Sequence, residues 1–507
     1  MNKRVFGLFL LCVFVLSLNT APPSGDEIVF RVRLDQAAAK DPVSGRLKVC
    51  LSANPLEKPL DHLEQNAYDP EPFYYRDVEN WRPGETITVD KKAKSFFYRL
   101  EDLPRRRYAF QAILETKDPD RDYTDKSGFL WGPVVIEKLA PGQAHTISLV
   151  LKSVVPPFRF PETETAREVV VASRLLSRFY GHPVDMRAGV ILPESYGKEP
   201  GRKYPAVYVI HGLFGSYRQV AMNQRRYGMN QVGRDKIYVL LDGNGTLGHH
   251  SFCDSENNGP RASALVEEFI PAIEKRFRVI PESESRFLMG QSSGGWSALW
   301  LQVNYPEYFG GVWAASPDPV DFRCFSYAGD LYEPGANLYY DRDGKERPFW
   351  MFGGYPICTT KEFFELEDAS GTANQFQSWE AAWSPRGKDG RPQPFFDRTA
   401  GAIDPKITAW WKRYDISLLL KTKWPAIEPH LRGKIHVYAG DHDDFALDKT
   451  VLSLKNVLGA LNAEVAVEVL PGNHILWNQE FTARVQKEMD AMLPALDPKG
   501  KRNTRTP

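Results

Sequence analysis

One short stretch of the chain combines a nucleophile with the residues that a sharp turn needs. "RFLMGQSSGGWSALWLQ" (286–302) places "GQSSG" (290–294) between a strand-like apolar run and a helical pattern. Glycine on both sides of the apex lets the backbone turn tightly, and G-x-S-x-G is typical of a nucleophile elbow. The spacing selects Ser292 as the apex, because the residue two before Ser293 is Gln291 and not glycine.

A serine hydroxyl becomes a strong nucleophile when a histidine takes its proton and a carboxylate orients that histidine. In doubly wound hydrolases these residues follow the chain order Ser, acid, His. His474 lies in "LPGNHILW", directly after the last predicted strand, and is the predicted base. The other downstream histidines lie in a predicted strand, a proline-containing loop and an aspartate-rich loop, where no base is expected: His436, His430 and His442.

The acid is expected in the aspartate-rich loop "VYAGDHDDFALD" (437–448), at the end of the preceding strand. Asp443, three residues past the glycine of this loop, is the predicted acid, and Asp444 is the alternative. The remaining aspartates are expected to be solvated or to cap the following helix.

Acyl transfer also needs hydrogen-bond donors for the oxyanion. The backbone N–H of Ser293 is one predicted donor, because it follows the nucleophile at the start of a helix. The second is expected in "HGLFG" (211–215), whose glycines let backbone N–H groups turn towards a substrate. Leu213 is the predicted residue and Phe214 the alternative.

A second cluster contains residue types that suit zinc. "GHHSFCDSENNGP" (248–260) holds His249, His250, Cys253 and Asp254. No second half with ligand spacing occurs elsewhere, and a serine mechanism needs no metal. We therefore predict no metal site and no cofactor, and interpret this segment as a loop near the site.

The elements that must position these residues begin near residue 166. Two strand-like runs, "REVVVASRLLS" and "MRAGVILP", indicate a leading hairpin. A helix is predicted over 263–277, with a kink or restart at Pro271. Further apolar runs are predicted as strands: 206–210, 236–242, 286–289, 310–316, 434–440 and 465–470. Strands alternating with helices indicate an α/β fold with a doubly wound, mostly parallel sheet, here over 160–495.

Two regions fall outside this alternation. Residues 25–155 contain short alternating strands separated by turns, which predicts an all-β sandwich domain preceding the α/β domain. The proline-rich run "KSVVPPFRFPETET" is the predicted linker. No candidate site residue lies in the sandwich, so chemistry is expected without it. Within the α/β domain, about 319–420 is an aromatic-rich insertion, expected to line a substrate pocket.

The first residues have the pattern of an export signal. Lys3 and Arg4 precede an apolar run over residues 5–18, which predicts a signal peptide over 1–21. An uncleaved anchor is the alternative, and no other segment is predicted to span a membrane. The protein is therefore expected to be secreted or periplasmic. The four later cysteines allow a disulfide, but the sequence does not select the pair: Cys50, Cys253, Cys324 and Cys358.

Charge and composition narrow the class of partner. The 507 residues include 64 Lys plus Arg and 64 Asp plus Glu, so charge gives no reason to expect nucleic acid. The expected partner is a small-molecule or polysaccharide ester, with no integral membrane segment after signal cleavage. The sequence does not indicate an oligomeric state.

Several motifs together carry a family resemblance. "HGLFGS", "DSENNGP…LVEEFIPAIE", "GQSSGGWSALWLQVNYPEYFGG" and "LPGNH" resemble the esterase D and enterochelin-esterase group of α/β-hydrolases, which includes feruloyl and acetyl-xylan esterases and mycolyltransferases. The resemblance covers about residues 166–490. It implies that Ser292 is the nucleophile, His474 the base and Asp443 the acid. The long insertion departs from the simplest members of the group.

These observations favour an exported serine carboxylic-ester hydrolase that works through an acyl-enzyme. The aromatic insertion and the export signal favour esters of carbohydrates, aromatic acids or siderophores. One alternative is an acyltransferase with the same three residues, in which a sugar or lipid hydroxyl replaces water. The other is a non-catalytic carbohydrate-binding protein in which the sandwich domain carries the function.

Overall fold

A computed structural model of the chain describes residues 27–54, 71–96, 98–224, 227, 232–371 and 374–494. The predicted signal peptide lies outside these residues. The described chain divides into two units. The first comprises residues 27–54, 71–116 and 129–154, and the second comprises 117–128 and 155–494.

In the residues that the structure describes, the first unit consists of β-strands and one short 3-10 turn over Leu100–Asp102. Its strands are β1 (Ile28–Leu34), β2 (Val43–Ser52), β3 (Phe73–Trp81), β4 (Thr86–Val89), β5 (Lys94–Phe96), β6 (Arg107–Thr116), β7 (Leu130–Trp131), β8 (Val135–Lys138), β9 (His145–Leu151) and β10 (Ser153–Val154). One sheet has the order β4-β1-β9, and the other has the order β10-β7-β6-β2-β3-β5, with β8 paired to β6. Both sheets contribute side chains to one buried core, including Phe30, Val49, Phe110 and Leu149. The predicted all-β sandwich is confirmed.

The second unit is organised around an eight-stranded sheet. Its strands are β11 (Ala166–Ser173), β12 (Val184–Ile191), β13 (Ala206–Ile210), β14 (Ile237–Leu241), β19 (Arg286–Gln291), β20 (Gly311–Ala315), β23 (Ile435–Gly440) and β24 (Ala466–Leu470). The spatial order is β11-β12-β14-β13-β19-β20-β23-β24. β12 pairs antiparallel with β11 and β14, and every later pair is parallel. The predicted doubly wound, mostly parallel α/β fold is confirmed.

The alternation along each strand explains why helices cover both faces. In β13, Ala206, Tyr208 and Ile210 point into one buried core, whereas Val207 points into the other. A strand that is apolar on both sides must bury both, which is why parallel sheets carry two layers of helices.

The helices of this unit are α1 (Arg174–Tyr180), α2 (Ser195–Lys198), α3 (Val220–Gln224), α4 (Arg261–Ala264), α5 (Ile270–Arg276), α6 (Ser293–Asn304), α7 (Thr360–Ser370), α8 (Gln375–Trp383), α9 (Pro405–Trp411), α10 (Ile416–Leu431), α11 (Leu447–Ala460) and α12 (Gln479–Met492). Short paired strands complete it: β15 (Asn244–Gly245), β16 (Gly248–His249), β17 (Asp254–Ser255), β18 (Gly259–Pro260), β21 (Pro348–Phe352) and β22 (Tyr355–Thr359).

Two local predictions are refined. The first strand of the leading hairpin stops at Ser173, whose hydroxyl accepts a hydrogen bond from Leu176 N and so begins helix α1 instead. The helix predicted over 263–277 contains a π-helical turn over Leu265–Phe269, directly before α5. Pro271 lies in the first turn of α5, where a missing N–H costs little, so the helix restarts there.

The insertion between β20 and β23 holds the β21–β22 hairpin, α7, α8 and α9. Most of its aromatic rings are buried against one another, including Tyr339, Trp383, Phe395 and Trp411, each 0% exposed. Phe395 and Trp411 lie 4.3 Å apart between ring centroids. These rings make the insertion's own core, so the expectation that the insertion's aromatic residues line a substrate pocket does not hold for most of them.

Within the described residues, no helix is both long and apolar enough to cross a bilayer. Cys50, Cys253, Cys324 and Cys358 all carry free thiols.

Candidate active site

Five neighbouring parallel strands deliver their following loops to one edge of the central sheet. The strands are β13, β19, β20, β23 and β24. Parallel strands have their carboxyl ends on the same side, where ligands bind in open α/β sheets. The loops after these strands carry the HGLFG segment, Ser292, Asp318, Asp443 and His474.

The turn at Ser292 has the strained geometry of a nucleophile elbow. Ser292 has φ 57° and ψ −128° and directly precedes α6. A Cβ on Gly290 would lie 2.1 Å from the carbonyl oxygen of Gly294, and one on Gly294 would lie 2.1 Å from that of Ile210. No larger residue fits at either position, so the two glycines are what permit the strain at Ser292.

The two adjacent serines have different surroundings. Ser293 is 2% exposed and its hydroxyl donates to Asp318 Oδ2 over 2.8 Å. Ser292 is half-buried at the turn apex. The choice of Ser292 over Ser293 thus agrees with the accessibility that a substrate would need.

His474 and Asp443 form a buried pair. His474 Nδ1 lies 2.9 Å from Asp443 Oδ2, and the two side chains are 9% and 0% exposed. Asp443 Oδ1 accepts further hydrogen bonds from the backbone N–H groups of Phe445 and Leu447. Burial acts to raise the pKa of Asp443, but the hydrogen bonds from His474 and these backbone groups outweigh it and hold the pKa below its ordinary value. With an ionised acceptor at Nδ1, that nitrogen carries the proton and Nε2 is left as a proton acceptor.

The other aspartates of this loop have different roles. Asp441 Oδ1 lies 2.7 Å from His442 Nδ1 and accepts from the backbone N–H of Gly472. Asp444 accepts a hydrogen bond from Met351 N through its backbone oxygen, and burial raises the pKa of its carboxyl. Asp443, not Asp444, therefore contacts the ring of His474.

The remaining downstream histidines lie away from this pair. His436 stacks on Trp313 with ring centroids 4.6 Å apart, within β23. His430 lies 3.2 Å from Glu307 on the surface.

Asp318 is the residue that the sequence interpretation missed. In the described part of the chain, the Ser292 hydroxyl donates to Asp318 Oδ1 over 3.3 Å and makes no hydrogen bond to His474. Asp318 Oδ2 accepts from Ser293, from Gln375 Nε2 over 3.0 Å and from Trp379 Nε1 over 2.8 Å. Burial raises the pKa of Asp318, and these donors together with His474 offset part of that effect.

A sequence signal for Asp318 did exist. It follows β20 by three residues, at the same sheet edge as the other loops, so it belongs to the class of polar residues that end parallel strands. The partners of Asp318 could not be predicted from the sequence. Gln375 and Trp379 lie 57 and 61 residues further along the chain, on α8, and only the packing of that helix brings them to Asp318.

The HGLFG segment lies against the elbow. A Cβ on Gly212 would be 3.1 Å from Ser292 Cβ, so glycine permits this close approach. Of the two candidate oxyanion amides, Phe214 N donates to Tyr123 Oη over 3.0 Å. Because the Phe214 N–H already donates to Tyr123, Leu213 remains the preferred candidate for the second oxyanion donor.

His211 stabilises the start of this loop. Its Nε2 accepts from Gly243 N over 3.1 Å, and its Nδ1 lies 2.8 Å from the Gly212 oxygen. Burial lowers the pKa of His211 to about 4, so the ring is neutral and both contacts hold.

Residues 117–128 belong to the second unit, although the sequence placed them inside the sandwich domain. Asp122 and Asp125 pair with Arg218 over 2.8 and 3.2 Å. Thr124 Oγ1 accepts from Asn244, which also donates to the Gly215 oxygen. With the Tyr123 contact, these bonds tie the segment to the loop that carries the candidate oxyanion donors.

The zinc-like segment is used structurally. His249 and His250 are buried, and burial holds the pKa of each well below its ordinary value. Asp254 accepts hydrogen bonds from Ala262 N and Ser263 at the start of α4. Among the described residues, no group of three or more His, Cys, Asp or Glu side chains is placed to hold a metal ion.

Comparison with known proteins gives the family. The family model described as "Putative esterase" matches residues 182–474, more than half of the chain and a range that contains Ser292, Asp443 and His474. Esterase MT1326 of Mycobacterium tuberculosis (strain CDC 1551 / Oshkosh) is 33% identical over 124 residues, which are 24% of this chain and 26% of that protein. The alignment thus spans about a quarter of this curated relative.

The chain also has similarity to solved structures of two hydrolases. A ferulic acid esterase is 16% identical with a TM-score of 0.39, over 65% of this chain and 98% of that one. An S-formylglutathione hydrolase from Agrobacterium tumefaciens is 14% identical with a TM-score of 0.36, over 66% of this chain and 96% of that one. On the family match over residues 182–474, this chain belongs to the "Putative esterase" family, as its motifs predicted.

Proposed function

We propose that this protein is an exported serine carboxylic-ester hydrolase with Ser292 as nucleophile, His474 as base and Asp443 as acid. The observation that carries the proposal is the buried His474–Asp443 pair at the same sheet edge as a strained, half-buried serine. Membership of an esterase family supports the reaction class.

The proposed reaction follows from these groups. Ser292 Oγ rotates from Asp318 towards His474, whose Nε2 takes its proton while Oγ attacks the ester carbonyl. The backbone N–H groups of Ser293 and Leu213 bind the developing oxyanion. The proton then passes to the leaving alcohol, and a water repeats the sequence to release the acid. Asp443 orients the ring and stabilises the imidazolium.

The proposed substrates are esters of carbohydrates, aromatic acids or siderophores. The buried rings of the insertion give this no support, but two aromatic residues at the tip of the β21–β22 hairpin do. Phe352 and Tyr355 are 54% and 62% exposed, and Met351 N in the same hairpin donates to the Asp444 oxygen beside the acid. Flat apolar faces of this kind suit sugar and phenolic rings. Secretion or periplasmic location is proposed from the N-terminal sequence pattern.

The first experiment is labelling with a fluorophosphonate followed by peptide mapping, in wild type, Ser292→Ala and Ser293→Ala. The proposal expects label on Ser292 in wild type and Ser293→Ala, and none in Ser292→Ala. Label that persists in Ser292→Ala would overturn the assignment.

The second experiment addresses the substrate. A chain-length series of p-nitrophenyl esters is compared with methyl ferulate and acetylated xylan. A maximum in kcat/KM at long chains, with no activity on the other two, would remove the proposed substrate class. Acyl groups diverted from water to an added sugar would instead support the acyltransferase alternative.

A further inference from the structure

The two oxygens of the Asp318 carboxyl are unequally supplied with donors. Oδ2 accepts three hydrogen bonds, from Ser293, Gln375 and Trp379. In the described part of the chain, Oδ1 accepts one side-chain hydrogen bond, from the Ser292 hydroxyl. Asp318 is 3% exposed, so bulk water does not make up the difference. The donors on Oδ2 stabilise the carboxylate form.

Acylation removes the one donor of Oδ1. In the proposed reaction the bond between Ser292 Oγ and the acyl carbon forms, and the bond from that carbon to the alcohol oxygen breaks. The Ser292 proton passes through His474 Nε2 to the departing alcohol. The acylated Ser292 oxygen then has no hydrogen, and a buried carboxylate oxygen without a donor is unfavourable.

Because Oγ has turned towards His474, a replacement donor must occupy the position that Oγ leaves, which lies 3.3 Å from Asp318 Oδ1. A substituent on the acyl carbon next to the carbonyl is three bonds from Oγ and falls within this range. We infer that Asp318 makes this site selective for acyl groups with a hydroxyl, ammonium or amide N–H on the carbon next to the ester carbonyl. The inference rests on the proposed function and narrows its substrate class.

The same reasoning disfavours two other kinds of acyl group. A carboxylate at that position would place two like charges together in a buried site. A plain alkyl or alkenyl group offers no donor, so Oδ1 stays unpaired in the acyl-enzyme. Aromatic-acid esters of the alkenyl type are therefore expected to react less well than α-hydroxy, α-amino or α-amido acyl esters.

The three hydrogen bonds to Oδ2 fix the orientation of the Asp318 carboxyl group. Gln375 and Trp379 reach Asp318 from consecutive turns of α8, and Ser293 reaches it from the first turn of α6. A carboxylate held by three donors on one oxygen cannot turn its other oxygen away without breaking them. Oδ1 thus stays directed at the position of Ser292 Oγ.

The test compares esters that differ in one group. The p-nitrophenyl esters of 2-hydroxypropanoate and 2-methylpropanoate have acyl groups of similar size, and one of them has the donor. Their ratio of kcat/KM is divided by the ratio of their rates with hydroxide, which removes intrinsic reactivity. We expect a corrected ratio of about tenfold or more in wild type, the size of one hydrogen bond to a charged group.

Asp318→Asn should lower the corrected ratio to about 1, because its amide presents N–H groups where Oδ1 accepted. Asp415→Asn is the matched control, since Asp415 is another buried carboxyl with a raised pKa whose donors are Phe322 N, Leu418 N and the Tyr332 hydroxyl, and it should keep the wild-type ratio. A wild-type ratio near 1, or one unchanged in Asp318→Asn, would overturn the inference. The wild-type ratio decides the question even if Asp318→Asn does not fold.

Fluorophosphonate labelling distinguishes a failure of the role inferred for Asp318 from a failure of the proposed esterase function. If Ser292 is labelled but the corrected kcat/KM ratio of the two esters is near 1, the role inferred for Asp318 is overturned and the proposed function stands. No label on Ser292 and no hydrolysis of either ester overturns both.

Discussion

Asp443 and Asp318 are both buried carboxyl groups at the carboxyl edge of the central sheet, but they bind partners of different kinds. Asp443 contacts an ionisable ring, His474, and two backbone N–H groups at the start of α11. Asp318 contacts two serine hydroxyls, an amide and an indole N–H. The result is a pKa below the ordinary value for Asp443 and above it for Asp318.

The difference teaches which partners offset the effect of burial on the pKa of a carboxyl group. Burial acts against the charged form at both positions. It is outweighed at Asp443, where His474 and two backbone N–H groups bind the carboxylate directly, and only partly offset at Asp318, where the direct donors are neutral side chains and His474 contributes only through its charge. In the proposed reaction Asp443 stabilises the imidazolium form of His474, and in the further inference Asp318 selects acyl groups that carry a hydrogen-bond donor.

The largest effect is expected from Ser292, whose hydroxyl contacts Asp318. Ser292→Ala should lower kcat by about 10⁴-fold or more, because binding and oxyanion stabilisation alone remain. Ser293→Ala is the matched change one residue away, which removes a donor to Asp318 but not the nucleophile. Steady-state kinetics on p-nitrophenyl acetate provide the measurement. An inactive Ser293→Ala with an active Ser292→Ala would exchange their roles.

The next largest effect is expected from Asp443→Asn, which is compared with the same change at Asp444. Asp443→Asn should lower kcat by about 10⁴-fold, because an amide cannot hold the same tautomer of His474 or stabilise its charge. Asp444→Asn should change kcat far less, because His474 Nδ1 contacts Asp443. Circular dichroism checks that both variants fold. An equal loss in Asp444→Asn would show that the acid role is not confined to Asp443.

The opposite pKa shifts predict opposite pH dependences of stability. In the unfolded chain both carboxyls titrate near 3.8. Asp443, with a lowered folded pKa, contributes stability that is present above this value and lost as the pH falls through the folded pKa. Asp318, with a raised folded pKa, contributes stability that is present below 3.8 and lost as the pH rises through its folded pKa.

Thermal unfolding from about pH 2.5 to about pH 7 measures this contrast. The Tm difference between wild type and Asp443→Asn should shrink as the pH falls below about 4. The difference between wild type and Asp318→Asn should shrink as the pH rises above about 4. If both Tm differences changed in the same direction with pH, the opposite pKa shifts assigned to Asp443 and Asp318 would be wrong.

The smallest effect concerns Tyr123, which lies outside both carboxylate clusters. Tyr123→Phe removes the acceptor of the Phe214 N–H and should lower kcat by about two- to tenfold with KM little changed, since the oxyanion loop becomes less well positioned. Tyr355→Phe, at an exposed hairpin tip, is the control for loss of a tyrosine hydroxyl. A loss confined to KM would assign Tyr123 to substrate binding instead.

The Tyr123 contact also bears on the expectation that the chemistry does not need the residues before the α/β domain. A protein that begins at residue 160 lacks residues 117–128 and with them the bonds to Phe214, Arg218 and Asn244. It should be less active on a small ester than Tyr123→Phe in the full chain. Equal activity of the shortened and full chains would show that this segment has no part in catalysis.

The sequence by itself determined the fold class and the order of the candidate residues. Apolar runs with period 2 and period 3.6 predicted the parallel sheet and its helices, and their loops carried Ser292, Asp443 and His474 in the expected order. These features are local: the elbow needs Gly290 and Gly294 within two residues of its apex, and Asp443 finds its backbone donors two and four residues ahead.

Tertiary structure alone decided the surroundings of Asp318 and of the oxyanion loop. Gln375 and Trp379 reach Asp318 from 57 and 61 residues away, and Tyr123 reaches Phe214 from 91 residues away. It also decided that the aromatic insertion buries its rings, because an aromatic residue has the same sequence pattern whether it faces a ligand or a core. Contacts between residues far apart in the chain depend on how elements pack, and hydrophobic periodicity specifies which face of an element is buried but not which distant side chain it meets.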